Sequence, residues 1–296
     1  MTINKQNKDD KSQPLVSIMI PIYNNESTIV MAINSVINQT YTYWECIIVN
    51  DGSTDKTKAL IESIIDLRFK VVNFDKNKGR PFARQKALEI ATGKYLAFLD
   101  ADDFYHPLKL EEQVEILDKN KDIEVVSCGD ASYDADFKLI TYRGVGNGAV
   151  ERFNIGKSLK CAMRTAMIRM DVAKQFSYDL RLKHAQDTNY LMRLMHNKKY
   201  IVTPTVRYYY SEFSSVTLPK IIRTYYFSFL NIWSLRSYNW LNSIKVTILI
   251  IAKFFLTLLV APIMGVDFFL KRRGKTPTAE IVTEFRNTLN ALKNIS

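Results

Sequence analysis

The chain has 296 residues, 47% of them hydrophobic, enough apolar material for one large domain with an appendage or two modest domains, which excludes wholesale disorder. Its net charge of +11 is uneven: residues 220–296 hold 11 Lys/Arg against 3 Asp/Glu, and the preceding 219 residues hold 30 against 27. The basic excess therefore belongs to an apolar, aromatic tail. That pairing suits an anionic membrane surface, and no nucleic-acid motif accompanies it.

The polar start, "MTINKQNKDDKSQ", has no apolar signal region, so residues 1–14 are expected to be disordered and the domain behind them cytoplasmic. From there strands and helices alternate. A β-branched strand is expected over 15–23, then a helix over 27–39, where Ile29, Ala32, Ile33, Val36 and Ile37 recur at helical spacing. Strands at 44–50, 69–74, 94–100 and 123–129 alternate with helices at 53–65, 81–91 and 108–119. Such alternation implies an α/β domain, a mostly parallel sheet with helices on both faces and ligands beyond the strands' carboxyl ends. Residues 130–219 are less regular. They include a helix near 187–197 and the aromatic stretch "VRYYYSEF", and they read as the acceptor-side half of the same domain, 15–219.

Three strand ends carry suggestive polar residues: "PIYNNE" (21–26), "NDGSTD" (50–55) and "DADD" (100–103). If strand geometry continues past Leu99, Asp100 and Asp102 point to one side, and the small Ala101 between them leaves room for a ligand. Two such carboxylates can hold a divalent cation that neutralises a diphosphate. Capping of the following helix accounts for Asp102 or Asp103 but not for Asp100, which closes a buried strand. Asp51 admits two readings, an Asp-Gly turn or an acceptor for a nucleobase N–H. Cys46, Cys128 and Cys161 are far apart and fit a reducing compartment; His106, His184 and His196 have no metal-ligand spacing.

The segments "VSIMIPIYNNESTIVMAINSVINQTYTYWECIIVNDGSTDKT" and "NKGRPFARQKALEIATGKYLAFLDADD" resemble the family 2 glycosyltransferases of GT-A fold, with the likeness running from about Val16 to Thr217. That fold is Rossmann-like, a mostly parallel mixed sheet flanked by helices. The resemblance implies a nucleotide-sugar donor, UDP-linked by preference, and a divalent cation, Mn²⁺ or Mg²⁺. It places Pro21 and Tyr23 in the first nucleotide-contacting turn, Asp51 on uracil and Arg84 beside the base. Asp100 then lies near the ribose and Asp102 binds the metal. Gln85 stands where many members have Asn. In "LKHAQDTNYLMRL", Gln186 replaces the glutamate of an acidic pair, while Asp187 matches the expected general base. Asp187 also suits a helix cap. Inversion at the anomeric carbon is a family expectation.

In the tail, residues 220–296, an aromatic and basic first half is followed by an apolar run over 246–270, long enough to span a bilayer. The basic "KRRGK" behind it opposes a span from a cytoplasmic domain under the positive-inside rule. Monotopic seating on the cytoplasmic face of the cell membrane is expected, and with it a lipid-linked or oligosaccharide acceptor in surface-polysaccharide synthesis; a single transmembrane span and a buried helix of a soluble dimer are the alternatives. Oligomeric state is not legible. Two rival functions are a non-catalytic, membrane-bound nucleotide-sugar binder and a haloacid-dehalogenase-type phosphohydrolase. The latter needs its nucleophile on the first strand, whereas Asp-x-Asp here closes the fourth.

Overall fold

The computed structural model describes residues 13–182, 184–212, 218–265 and 274–294, so most of the expected disordered start lies outside the described residues. The β-branched run at the start forms β1 (Val16–Ile22), followed by α1 (Ile29–Ile37), β2 (Trp44–Asn50), α2 (Thr57–Glu62) and β3 (Phe69–Asn73). Next come α3 (Arg80–Ile90), β4 (Tyr95–Phe98), the short β5 (Phe104–Tyr105), α4 (Lys109–Lys119) and β6 (Val125–Tyr133). β7 (Leu139–Arg143), β8 (Val150–Arg152), β9 (Ala166–Arg169), α5 (Met170–Ala173), α6 (Gln186–Met195) and the long β10 (Lys199–Ser211) complete the sheet domain. The tail contributes α7 (Leu218–Ser234), α8 (Trp240–Met264) and α9 (Ala279–Lys293).

Among the described residues the strands form one mixed sheet in the order β3-β2-β1-β4-β9-β6-β10-β5, with β7 on β6 and β8 on β10. β1 pairs parallel with β2 on one side and with β4 on the other. The chain thus winds outward to β3 and returns across β1 to β4. The carboxyl ends of β1 and β4 therefore flank a switch point, where an open α/β sheet leaves a crevice. β9 runs antiparallel between β4 and β6, which makes the sheet mixed.

Period-two alternation gives the sheet two cores. Met19, Val49, Leu96 and Phe98 pack on the face covered by α3 and α6. Ile18, Ile20, Ile48 and Ala97 pack on the opposite face with α1 and α4. "VRYYYS", the first six residues of a stretch expected to be irregular, is instead the end of β10, where β-branched and aromatic residues suit a buried strand; Phe213 lies outside the described residues.

The tail differs from its expected extent as a single membrane-associating region. α9 turns back onto the sheet domain, with the Lys275 backbone exchanging hydrogen bonds with Tyr142 of β7 at 2.8 and 2.9 Å. Its apolar stripe, Ile281, Phe285, Leu289 and Leu292, closes a third cluster containing Phe104, Tyr133 and Tyr209. Phe285 is 1% exposed, with ring centroids 5.1–5.8 Å from those three rings. The helical periodicity of 281–292 thus decides its placement, while the average charge of the tail hides it. Phe285→Ala is expected to lower unfolding free energy by about 3–5 kcal/mol, read by urea denaturation. A change below about 0.5 kcal/mol would mean that α9 does not pack there.

Candidate active site

The two loops that leave β1 and β2 hold each other in place. The Asn24 backbone N–H donates to Ser53 Oγ at 3.0 Å, and Thr54 N–H donates to Asn24 Oδ1 at 2.8 Å. Glu26 and Asp55 each accept from the opposite loop, at 2.8 and 3.2 Å. Asp51 closes the neighbouring loop: its carboxylate accepts from Lys78 N–H at 2.7 Å and Gly79 N–H at 2.8 Å. Gly52 is required there, since its φ is +72° and a Cβ would meet the Lys76 backbone at 2.5 Å. The turn role of Asp51 is therefore present, and the same side chain lies on the cleft wall.

The acidic turn after β4 is tied to β10. Tyr208 Oη donates to Asp103 Oδ2 at 2.7 Å and accepts from the Asp100 backbone N–H at 3.2 Å. Ser211 N–H donates to Asp103 Oδ1 at 3.0 Å. Tyr105 Oη and Tyr133 Oη donate to the carbonyls of Phe98 and Asp102, at 2.6 and 3.3 Å. Asp103 is thereby a structural carboxylate. Burial, followed by the negative charge of Asp102, pushes its pKa far up.

Asp100 and Asp102 remain open to the cleft. Arg84, buried on α3, donates through Nη2 to Asp100 Oδ1 at 3.0 Å. Burial works against the Arg84 charge, but Asp100 and then Asp187 outweigh it and raise its pKa. Asp102 has no cation in hydrogen-bonding contact among the described residues. The cleft wall desolvates it and Asp100 repels its charge, so its pKa is raised.

Asp187 comes from a different layer, the first turn of α6. The preceding Ala185 adopts φ +56°, which swings the chain into the helix. Asp187 Oδ1 accepts from the Thr188 N–H at 2.8 Å, leaving Oδ2 free of that bond. Asp187 thus satisfies one first-turn N–H and keeps an open carboxylate oxygen, but it is not the N-cap: that position is Ala185, which makes no side-chain cap bond. Gln186 is buried on the cleft wall beside it. Gln85, the departure on α3, accepts from Tyr178 N–H at 2.9 Å and joins α3 to the segment before α6.

All eight residues singled out from the sequence, Pro21, Tyr23, Asp51, Arg84, Asp100, Ala101, Asp102 and Asp187, line one cleft of about 1100 Å³. Arg84, Asp100 and Asp187 also border an inner cavity of about 120 Å³, walled by Leu159, Met163 and Leu191. Sequence reasoning missed Arg164, which faces both spaces. Its guanidinium pairs with Asp130 and lies 4.5 Å from the Tyr210 ring centroid, while its buried Nε has no hydrogen-bond partner among the described residues. Arg143 Nε also reaches Asp130, at 3.3 Å, so two guanidiniums share one carboxylate and this cluster carries a net positive charge. No spacing signal marks Arg164, because β6 and the turn before β9 meet only in the fold.

Among the described residues no three His, Cys, Asp or Glu side chains form a complete metal ligand set. An Mg²⁺- or Mn²⁺-type ion held by one or two carboxylates, waters and substrate phosphates needs none. Asp102, desolvated and repelled by Asp100, fits such an ion. The haloacid-dehalogenase arrangement does not fit, because β1 ends in Ile22 and Tyr23 and carries no carboxylate nucleophile.

Residues 17–176 match the family described as Glycosyl transferase family 2. The putative teichuronic acid biosynthesis glycosyltransferase TuaG of Bacillus subtilis is 45% identical over 107 residues, which cover 36% of this chain and 42% of that protein. The UDP-Glc:alpha-D-GlcNAc-diphosphoundecaprenol beta-1,3-glucosyltransferase WfgD of Escherichia coli is 42% identical over 106 residues, 36% of this chain and 42% of that one. The match thus spans about two fifths of the length of each of these relatives. The crystal structure of S. aureus TarS 1–349 in complex with UDP-GlcNAc shares the fold, with TM-score 0.63 and 20% identity over 94% of this chain and 80% of that one.

Removing the Tyr208 hydroxyl leaves buried Asp103 with its Ser211 bond alone. Tyr208→Phe is expected to cost about 1–3 kcal/mol of stability in denaturant titration. It should also weaken the thermal stabilisation by UDP plus Mn²⁺, because the turn carrying Asp100 and Asp102 loses its anchor. Unchanged nucleotide stabilisation would show that the turn holds its shape without this anchor.

Proposed function

The chain belongs to glycosyl transferase family 2, and on that premise we propose that it transfers a sugar from a UDP-sugar to a hydroxyl of a lipid-linked glycan in bacterial cell-surface polysaccharide synthesis. The observation that carries the reading is the convergence of Asp100, Asp102 and Asp187, from two separate layers, on one cleft with buried Arg84 between Asp100 and Asp187. The names of the two relatives supply the substrate classes. One is a UDP-glucose-dependent enzyme acting on a diphosphoundecaprenol-linked acceptor, the other belongs to teichuronic acid biosynthesis.

In this reading Pro21, Tyr23 and Asp51 border the nucleoside, and the Arg84–Asp100 pair fixes the wall beside the ribose. Asp102 holds a divalent cation, Mn²⁺ or Mg²⁺, whose chemistry is to neutralise the diphosphate that leaves. Arg164 lends positive charge from the opposite wall. Asp187 takes the proton from the acceptor hydroxyl as that oxygen attacks the anomeric carbon from the face opposite the leaving group, so the configuration inverts. Its Thr188 bond holds Oδ1 while Oδ2 receives the proton. The inner cavity beside Asp100 and Asp187 accommodates the donor sugar, and the enzyme works at the cytoplasmic face of the membrane.

Asp187→Asn is expected to keep the fold and donor binding, since asparagine accepts from Thr188 N–H equally well. It should lower turnover by roughly 10²–10⁴-fold in a UDP-release assay with membrane lysate as acceptor source. Retained turnover would remove Asp187 from the mechanism. Asp102→Ala is expected to abolish the Mn²⁺-dependent part of donor stabilisation in a thermal-shift titration. If wild-type protein binds UDP-sugars yet releases no UDP with any acceptor fraction, the chain is a binder and not a transferase.

A further inference from the structure

α7 and α8 form an antiparallel hairpin. Tyr225 Oη lies 3.0 Å from Thr257 Oγ1, its ring is 6.2 Å from that of Phe254, and Ile221 and Ala261 are buried near the far end. α8 is long and apolar enough to cross a bilayer, yet few residues of its most apolar stretch are buried. Leu241, Ile244, Ile248, Phe255, Leu259 and Ile263 recur at steps of three, four or seven residues, and all are exposed. They form one stripe along the whole helix, about 33 Å of rise. Between Leu218 and Met264 the sequence carries five Lys/Arg and no Asp or Glu.

Both ends of this hairpin are tied to the sheet domain. At one end Asn189 Nδ2 of α6 donates to Asn231 Oδ1 at 2.8 Å, and His196 lies 5.1 Å from Tyr238. There the Asn242 side chain comes so close to Gly156 that a Cβ on the glycine would meet it at 2.2 Å. At the other end, Leu218 follows seven residues after Ser211, which is hydrogen-bonded to Asp103. Gly265 is nine residues from Gly274, whose neighbour Lys275 is paired with β7. Nine extended residues reach at most about 32 Å. A bilayer with its headgroup zones is about 40–45 Å thick, so a chain on the far side cannot return to β7. The returning segment would also carry Asp267, Lys271, Arg272 and Arg273 through hydrocarbon.

We infer that the α7–α8 hairpin lies in the plane of an anionic bilayer surface without crossing it, its exposed stripe in the acyl boundary, and holds the acceptor wall of the cleft against the lipid headgroups. The link to the cleft is direct: the ring of His184, on the cleft wall three residues before Asp187, packs tilted against that of Phe227 of α7, with centroids 4.2 Å apart. The seating follows from chain reach and charge; its use, delivery of a lipid-linked hydroxyl to Asp187 from the membrane plane, rests on the proposed transfer reaction. The aromatic residues Trp233, Tyr238 and Trp240, each exposed, suit the headgroup zone.

The full chain is tested on sealed vesicles of phosphatidylglycerol and phosphatidylethanolamine, with phosphatidylcholine vesicles in parallel. Cosedimentation is expected to show affinity for the anionic vesicles at least about tenfold higher. The pair Ile248→Glu and Leu259→Glu, on the exposed stripe, should lower vesicle affinity by at least about tenfold with Tm unchanged. Because Cys46, Cys128 and Cys161 are buried, Trp240→Cys and Ile263→Cys can each carry a single nitrobenzoxadiazole probe. Dithionite added outside the vesicles should bleach both probes. A protected probe at position 263 beside a bleached one at 240 would mean a span and overturn the inference. A stable dimer by light scattering with no vesicle binding would overturn it as well, since a second copy would then cover the stripe. UDP release with membrane lysate as acceptor source is followed in the same samples: bound protein without any transfer upholds the seating and removes the reaction.

Discussion

Acidic side chains at the end of a buried strand repel one another and lose hydration, so the turn that carries them must be held from elsewhere. Here a tyrosine hydroxyl does the holding. Tyr208 reaches from β10 to the Asp103 carboxylate and the Asp100 backbone in one contact pair, while Tyr105 and Tyr133 secure carbonyls on either side. With Asp103 immobilised, Asp100 and Asp102 face the cleft, and the charge of Asp100 is answered by Arg84 from α3. The placement of β10 thus determines the geometry of a turn more than a hundred residues earlier in the chain.

The charges around the cleft are arranged as pairs that remain incomplete. Arg84 is satisfied by Asp100 and influenced by Asp187, so this buried cation ties the Asp100 and Asp187 flanks of the cleft together. Arg164 and Arg143 share Asp130, so this cluster keeps a net positive charge beside the cleft. Asp102 stands against negative neighbours and gains most from a cation. In the proposed reaction, a diphosphate and a metal arriving together would complete these pairs.

The tail has two destinations. Its last helix completes the sheet domain by placing Phe285 against three aromatic rings, and that docking shortens the leash on α8. On the proposed seating, an apolar helix that would pass as a membrane span by length alone is thereby confined to one side. The cleft mouth, α7 and the apolar stripe form a continuous flank through His184 and Phe227.

Local pattern determined much of this protein. The alternating elements from Val16 to Lys119, their mostly parallel pairing and the polar strand ends were legible because helical and strand periodicities depend on neighbours only a few residues apart. Asp51, Asp100, Asp102 and Asp187 stood out for the same reason, each at the close of a strand or the opening of a helix. Arg164, Tyr208 and the docking of α9 were not legible, because their partners lie 34, 105 and roughly 180 residues away in sequence. "VRYYYSEF" shows the limit well: its aromatic residues suit any buried setting, and only pairing with β6 and β5 made it a strand and its tyrosines an anchor. The sequence by itself determined which elements form and which carboxylates meet at the sheet's edge. Tertiary structure decided what holds them and which way the apolar helix can lie, since both follow from contacts that chain neighbours do not encode.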